Sequence, residues 1–290
     1  MKAITTSITA GQQKQYKRFV KDAAERALKE TGLDKDGLQK LIENGDELQS
    51  RIVTAIRELS VSNQFADEEV ESSYGYLSGY KPKGITEQTN ILRQLFLGVG
   101  FADEKLAEGT LPPNAEGWFA IPLWEKIAQT YGEAVQKVLD LIKQTRNGKF
   151  YNYREGQLGP QCLRQSQKSA KAFQKLGDEQ KDYDILVVPA QFGLRHKGRS
   201  VRRAREVMNS SEFGLGAFAI GIMILTHPER LMNYDDLWID CAGDEFSPVA
   251  DGVFSFAPFF VFHDGRVEFL AYWYDLARGG CGSASAFLSQ

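Results

Sequence analysis

FFVFHDGRVEFLAYW, residues Phe259 to Trp273, decides how the C-terminal half of this chain folds. Asp264-Gly265 at its centre is a two-residue turn of the kind favoured between twisted antiparallel strands, where both turn positions need positive φ. With those two residues as the loop, His263 faces Arg266, Phe262 pairs with Val267 and Phe260 with Phe269. Alternation then sorts the side chains onto two faces. Phe260, Phe262, Val267, Phe269, Ala271 and Trp273 form the face expected to pack into a core. The other face carries Phe259, Val261, His263, Arg266, Glu268, Leu270, Tyr272 and Tyr274. Its charged residues weigh against full burial, and a half-apolar open sheet face is an expected interaction surface. Helices lying over it would make it core instead.

Outward from the hairpin, strand signals begin at Asp236: LWID, FFVF, VEFLAYW and a last short run ending in AFL. Upstream, Asp184 to Pro189 (DILVVP) reads as a buried strand. Ser200 is a fitting N-cap for a basic helix, Val201 to Met208. Gly216 to Thr226 reads as a buried helix stopped by Pro228. Earlier still the chain reads as helices: residues 13–31, then Leu38 to Leu59 with Leu41, Leu48, Ile52 and Ile56 near helical spacing and Gly45 interrupting. Ser72 to Gly84 is a loop by composition, and Thr86 to Leu97 a further helix. Pro122 suits the first turn of a helix reaching Ile142, with Ile127, Val135, Val138 and Ile142 inward. Gln161 to Leu176 is expected to be a more polar helix. The fold class is therefore α+β, with a helical domain over 1–148 and a second domain over 149–290. All nineteen lysines lie between Lys2 and Lys197 and none in the last 93 residues, which fits two parts of different surface chemistry.

Across 290 residues, 42% are hydrophobic and 25% charged, with a net charge of −3. That is the balance of a soluble globular chain without a global field for nucleic acid or anionic lipid. Cys162, Cys241 and Cys281 are too few and too scattered for a disulfide framework or a zinc site. Paired with His196, His227 or His263 they show no signature of thiol catalysis, and His227 before Pro228 reads as a helix end. Asp240, Asp244, Glu245 and Asp251 lack the regular spacing of a calcium loop. No catalytic residue, metal or cofactor is expected. The strongest charge cluster is Arg195, His196, Lys197, Arg199, Arg202, Arg203 and Arg205. It reads as scaffold ion pairing with acids such as Asp240, Asp244 or Glu245. Phosphate contact by residues 195–205 is the alternative, making the chain a nucleic-acid-binding protein. The N-terminus lacks the apolar core of a secretory signal, so synthesis in the cytoplasm is expected. The most apolar window, Leu215 to Leu225, is too short to span a bilayer.

A strand, two helices and a strand-rich tail with an LWID strand and a C-terminal hairpin resemble the C-type lectin fold. The ending AYWYDLARGGCGSASAFL is similar to the variable region of diversity-generating retroelement target proteins. DLWIDCAGDEFSP ahead of it resembles the invariant scaffold of their archaeal and small-genome bacterial members. The likeness covers roughly residues 180–290. It implies a C-type-lectin-like display domain, with two helices and a small, mainly antiparallel sheet. Adenine-directed mutation of AAC codons, the habit of such systems, cannot produce Lys, Gln, Glu, Met or Trp. Those types total 67 of 290 residues, yet from Phe254 onward only Glu268, Trp273 and Gln290 occur, a depletion of the expected sign. The resemblance implies a recognition surface built from Phe256, Phe259, Val261, His263, Leu270, Tyr272 and Tyr274. The loop Asp275, Leu276, Arg278, Gly279, Gly280 and Cys281 would complete it. It further implies a ligand-binding receptor or adhesion protein, not an enzyme, whose partner is a variable macromolecular ligand, a protein or surface glycan on another cell or host. A virion or cell surface is the address that fits, and nucleic acid is not the expected partner. The Glu-Pro-Asn, Gln-Pro-Asp and Trp-Asn-Asp motifs of calcium-dependent sugar binders are missing, so calcium is not implied.

Overall fold

Positive φ at Asp264 and Gly265 reverses the chain between β8 (Phe256–His263) and β9 (Arg266–Trp273). The ladder has the register read from the turn: His263 opposite Arg266, Phe262 opposite Val267, Phe260 opposite Phe269. The computed structural model describes residues 9–59 and 64–288. Residues 1–8 of the stretch read above as lacking a secretory signal lie outside them.

Two compact units divide the chain, Met1–Ser60 and Val61–Gln290. The first holds α1 (Ala10–Thr31), α2 (Lys35–Glu43) and α3 (Gly45–Leu59). Asp34 caps α2, its carboxylate accepting from the Gly37 amide, and Asn44 ends that helix where a single interrupted one was expected.

The described part of the second unit holds, after turns and isolated bridges, α4 (Ile85–Leu95), β1 (Gly117–Pro122), α5 (Tyr131–Thr145), β2 (Phe150–Asn152) and β3 (Leu163–Gln165). It continues through α6 (Gln167–Glu179), β4 (Ile185–Gln191), α7 (Val201–Val207), β5 (Glu212–Gly214) and α8 (Ala217–Thr226). The tail adds β6 (Trp238–Asp240), β7 (Asp244–Phe246), β8, β9, β10 (Cys281–Ser283) and β11 (Ser285–Phe287). The fold is α+β, as its patterning indicated.

A boundary at residue 148 is corrected. β1 pairs along its whole length with β4, and α5 packs against α8, so residues 85–148 share one core with the tail. Part of that core is closed by partners more than sixty residues away, β4 against β1 and α8 against α5. Pro122 ends β1 rather than opening a helix, and α5 starts at a capping box of Thr130 and Glu133. Ile127, Val135, Val138 and Ile142 are buried nonetheless. Part of the expected helix from Gln161 is instead the short strand β3, and α6 begins at Gln167 after its cap, Ser166.

Two sheets hold the unit together. One has the order β1-β4-β11-β5; the other runs β10-β6-β8-β7-β3, with β9 on the free edge of β8 and β2 beyond it. The wholly buried α8 packs against α4, α5 and β1. Phe260, Val267, Phe269 and Ala271 join Ile239 and Phe246 in the same core, which places the hairpin's even-numbered β8 face inward.

Candidate functional site

The outward face of the larger sheet is set by register. Asp240 of β6 lies opposite Phe259, Phe259 opposite Leu270, and Tyr151 of β2 opposite Glu268. Ser283 of β10 lies opposite Asp240, with Cys281 opposite Trp238. One face thus presents Trp238, Asp240, Phe259, Val261, Glu268, Leu270 and Tyr272 in rows fixed by backbone hydrogen bonds.

Arg278 closes the centre of this face. Its guanidinium stands 4.5 Å from the Phe259 ring, 5.0 Å from Tyr272 and 5.7 Å from Trp238, and donates to Asp240 Oδ1 at 3.3 Å. The Trp238 ring stacks on Phe259 at 6.0 Å and 13°. Burial pushes the Asp240 carboxyl up to about 6, although Arg278 pulls the other way. A planar cation between rings, with one carboxylate behind it, is a rigid anchor, because guanidinium–ring and charge-assisted contacts act together.

Around that anchor the rim is exposed and aromatic. Tyr272 is 42% exposed, and Leu276, Tyr151, Tyr153 and Tyr234 are also exposed. Tyr234 meets the half-exposed His263 at 5.6 Å between rings, and Arg266 sits 4.8 Å above Tyr151 while its guanidinium binds Glu268 at 2.7 Å. The loop behind the rim is held in place: the Ser72 hydroxyl donates to the Gly279 carbonyl, and the Trp238 amide to the Gly280 carbonyl.

Several expected surface residues are corrected. Phe259 is only 4% exposed, and Val261 and Cys281 are also buried. Trp238 and Arg278 lie over the Phe259 ring where an open sheet face was expected, and Cys281, expected in the loop, is instead the first residue of β10. Phe256 faces the other way, its ring 4.3 Å from Trp273. Tyr274 packs beside α7 on Val201, Ala204 and Met208 and is half-buried. Gly279 and Gly280 are half-buried under the 71–74 segment, whereas Asp275 and Leu276 are exposed. Trp273, expected in the core, is exposed because β9 outruns the core at its end. The structure therefore keeps His263, Leu270, Tyr272, Asp275, Leu276 and Arg278 at or near the surface. It adds Tyr151, Tyr153, Tyr234 and Trp238, which sequence reasoning missed, and the buried Asp240, which the sequence offers only as a calcium-loop candidate or a partner for the basic cluster. The LWID strand signal pointed toward the last two.

The basic cluster is matched by acids other than those expected. Arg202 binds Glu68, Arg203 binds Glu69 and Glu206, and Arg199 binds Glu69. Arg195 and His196 both reach the buried Glu212, at 3.1 and 2.7 Å. Arg205 donates to the Ala242 and Asp244 carbonyls. Asp240 and Glu245 bind Arg278 and Arg164 instead. Neutralised and partly buried arginines leave little free charge for phosphates.

The cysteines are buried and unpaired, and burial pushes the Cys241 and Cys281 thiols up, away from the reactive thiolate. Among the described residues no cluster of His, Cys, Asp and Glu could hold a metal ion, and no helix is long and apolar enough to cross a membrane. No family model, curated protein or solved structure matches this chain.

Proposed function

We propose that this chain is a ligand-binding protein of C-type-lectin-like architecture whose recognition surface is the aromatic rim around Arg278. The observation that supports it best is the contrast between the centre of one sheet face and the exposed side chains at its end and in the adjoining loops. Phe259 and Val261 are locked beneath the surface, while Tyr272, Leu276 and Tyr234 stand exposed on the frame they brace. Such a division lets rim side chains vary while the fold stays fixed. Tyrosine suits the task, offering large contact area and a polar tip at the loss of only two side-chain torsions. Rings beside an arginine match the composition of binding hot spots. The ligand is macromolecular, a protein or surface glycan of another cell or host, and a retroelement supplies the sequence variation. That last part rests on the resemblance of the AYWYDLARGGCGSASAFL ending and on the depletion from Phe254 onward.

Two measurements test the reading. Sequencing the flanking DNA is expected to reveal a near-copy of the final coding stretch, differing mainly at adenines, beside a reverse transcriptase gene; a locus with neither removes the diversification claim. At the protein level, Leu276→Ser and Tyr272→Ser should each shift stability by no more than about 0.5–1 kcal/mol, as surface changes do. Phe259→Ala should cost about 3–5 kcal/mol through the cavity it leaves. If chemical denaturation shows the rim changes costing as much as Phe259→Ala, the rim is part of the core and no display surface exists.

A further inference from the structure

The N-terminal unit has helices but no interior. Among its described side chains none is buried, and Phe19 of α1 and Ile42 of α2 are 60% and 64% exposed. Tyr16, Val20 and Leu28 are also exposed on α1, as are Leu38, Leu48, Ile52 and Ile56 on α2 and α3. Helices of this length are marginal in water on propensity alone, and an apolar stripe is what normally stabilises them by being covered.

Two features say what covers it. Leu38, Leu41, Gly45, Leu48, Ile52 and Ala55 follow the alternating three- and four-residue spacing of a seam that packs against other helices. Asn44 ends α2 but its carbonyl already accepts from the Leu48 amide, so the seam runs on into α3 with little interruption. Ile42 and Ile56 widen the stripe beyond a two-helix seam toward the broader face of a bundle. Charge supplies the second feature. α1 carries six basic and three acidic residues, whereas residues 34–59 carry four basic and six acidic. The two halves of the unit attract each other, yet within one chain both leave their apolar residues open.

We propose that residues 10–59 form a self-association module in which the acidic α2–α3 seam of one copy packs against the basic α1 of a second copy. The exchange is reciprocal, as two-fold symmetry requires, and closes a four-helix bundle from two helical hairpins. Two copies present two recognition surfaces, which raises avidity for a repetitive target without any new contact at either surface.

Sedimentation of the full-length protein tests this directly. The wild-type chain is expected at twice its 32.5 kDa mass. Leu48→Glu combined with Ile52→Glu should bring it to the mass of one chain, with the near-ultraviolet circular dichroism of the Val61–Gln290 unit unchanged. Phe19→Glu combined with Val20→Glu, on the opposite partner helix, should do the same, whereas Ser50→Glu, on the outer side of the seam, should leave the mass doubled. A wild-type chain that sediments as a single copy at every concentration overturns the proposal. So does an assembly that survives both double substitutions.

Discussion

His227 shows how one buried side chain couples the fold to pH. It ends α8, where its Nε2 accepts the Lys83 amide at 2.9 Å and its Nδ1 lies 3.2 Å from the Met223 carbonyl. Both ring nitrogens are used in the neutral form, with the proton on Nδ1. Burial, assisted by the charge of Lys83, holds the imidazole down at about 4. A base whose folded value lies below its unfolded value near 6.5 contributes stability that is present above 6.5 and lost as pH falls toward 4. At ~1.4 kcal/mol per unit the loss approaches about 3 kcal/mol. Asp240, raised to about 6, acts with the opposite sign, its contribution being lost as pH rises through 6. Melting temperatures of wild type and His227→Gln, measured from pH 7.5 to 4, should therefore diverge at neutral pH and converge in acid; parallel curves would show that His227 is not held neutral. The residue-level expectation of a helix-end histidine is met at His227. The seam of Trp238, Phe259 and Arg278 was not readable, because its members come from two separate strands and a loop.

Among the elements, α8 is where packing leaves least freedom. Gly221 lies against α5, and a Cβ there would fall 2.4 Å from Val138 Cγ1. Gly221→Ala improves helix propensity by about 1 kcal/mol, but overpacking costs about 1–3 kcal/mol, so a net loss in denaturant unfolding is expected; a gain would mean that α5 and α8 can separate freely. The hairpin was legible to the residue because an Asp-Gly turn fixes register locally. α7 was legible from Ser200, whose hydroxyl accepts from the Arg203 amide. β1 was not. Pro122 looks the same to local reading whether it opens a helix or closes an edge strand, and only pairing with β4 decides between them.

For the whole molecule, the decisive feature is that residues from α4 onward share one core with the tail. A chain beginning at Val61 is expected to unfold cooperatively in a thermal melt, since it retains every member of that core. A chain beginning at residue 149 lacks α4, β1 and α5, exposes α8 and one edge of β4, and should show no cooperative transition. A sharp melt from the shorter chain would restore the boundary at 148. The matched arginines of 195–205 belong to this scale too, since Glu68 and Glu69 reach them from more than 120 residues upstream. By itself the sequence determined the helix caps, the apolar periodicities, the hairpin and its register, all of which depend on residues within a few positions of one another. Only the tertiary structure decided which side of the hairpin stays open, which acids neutralise the arginines and where the domain begins. Those outcomes turn on burial, and burial is a property of what distant segments bring to a surface.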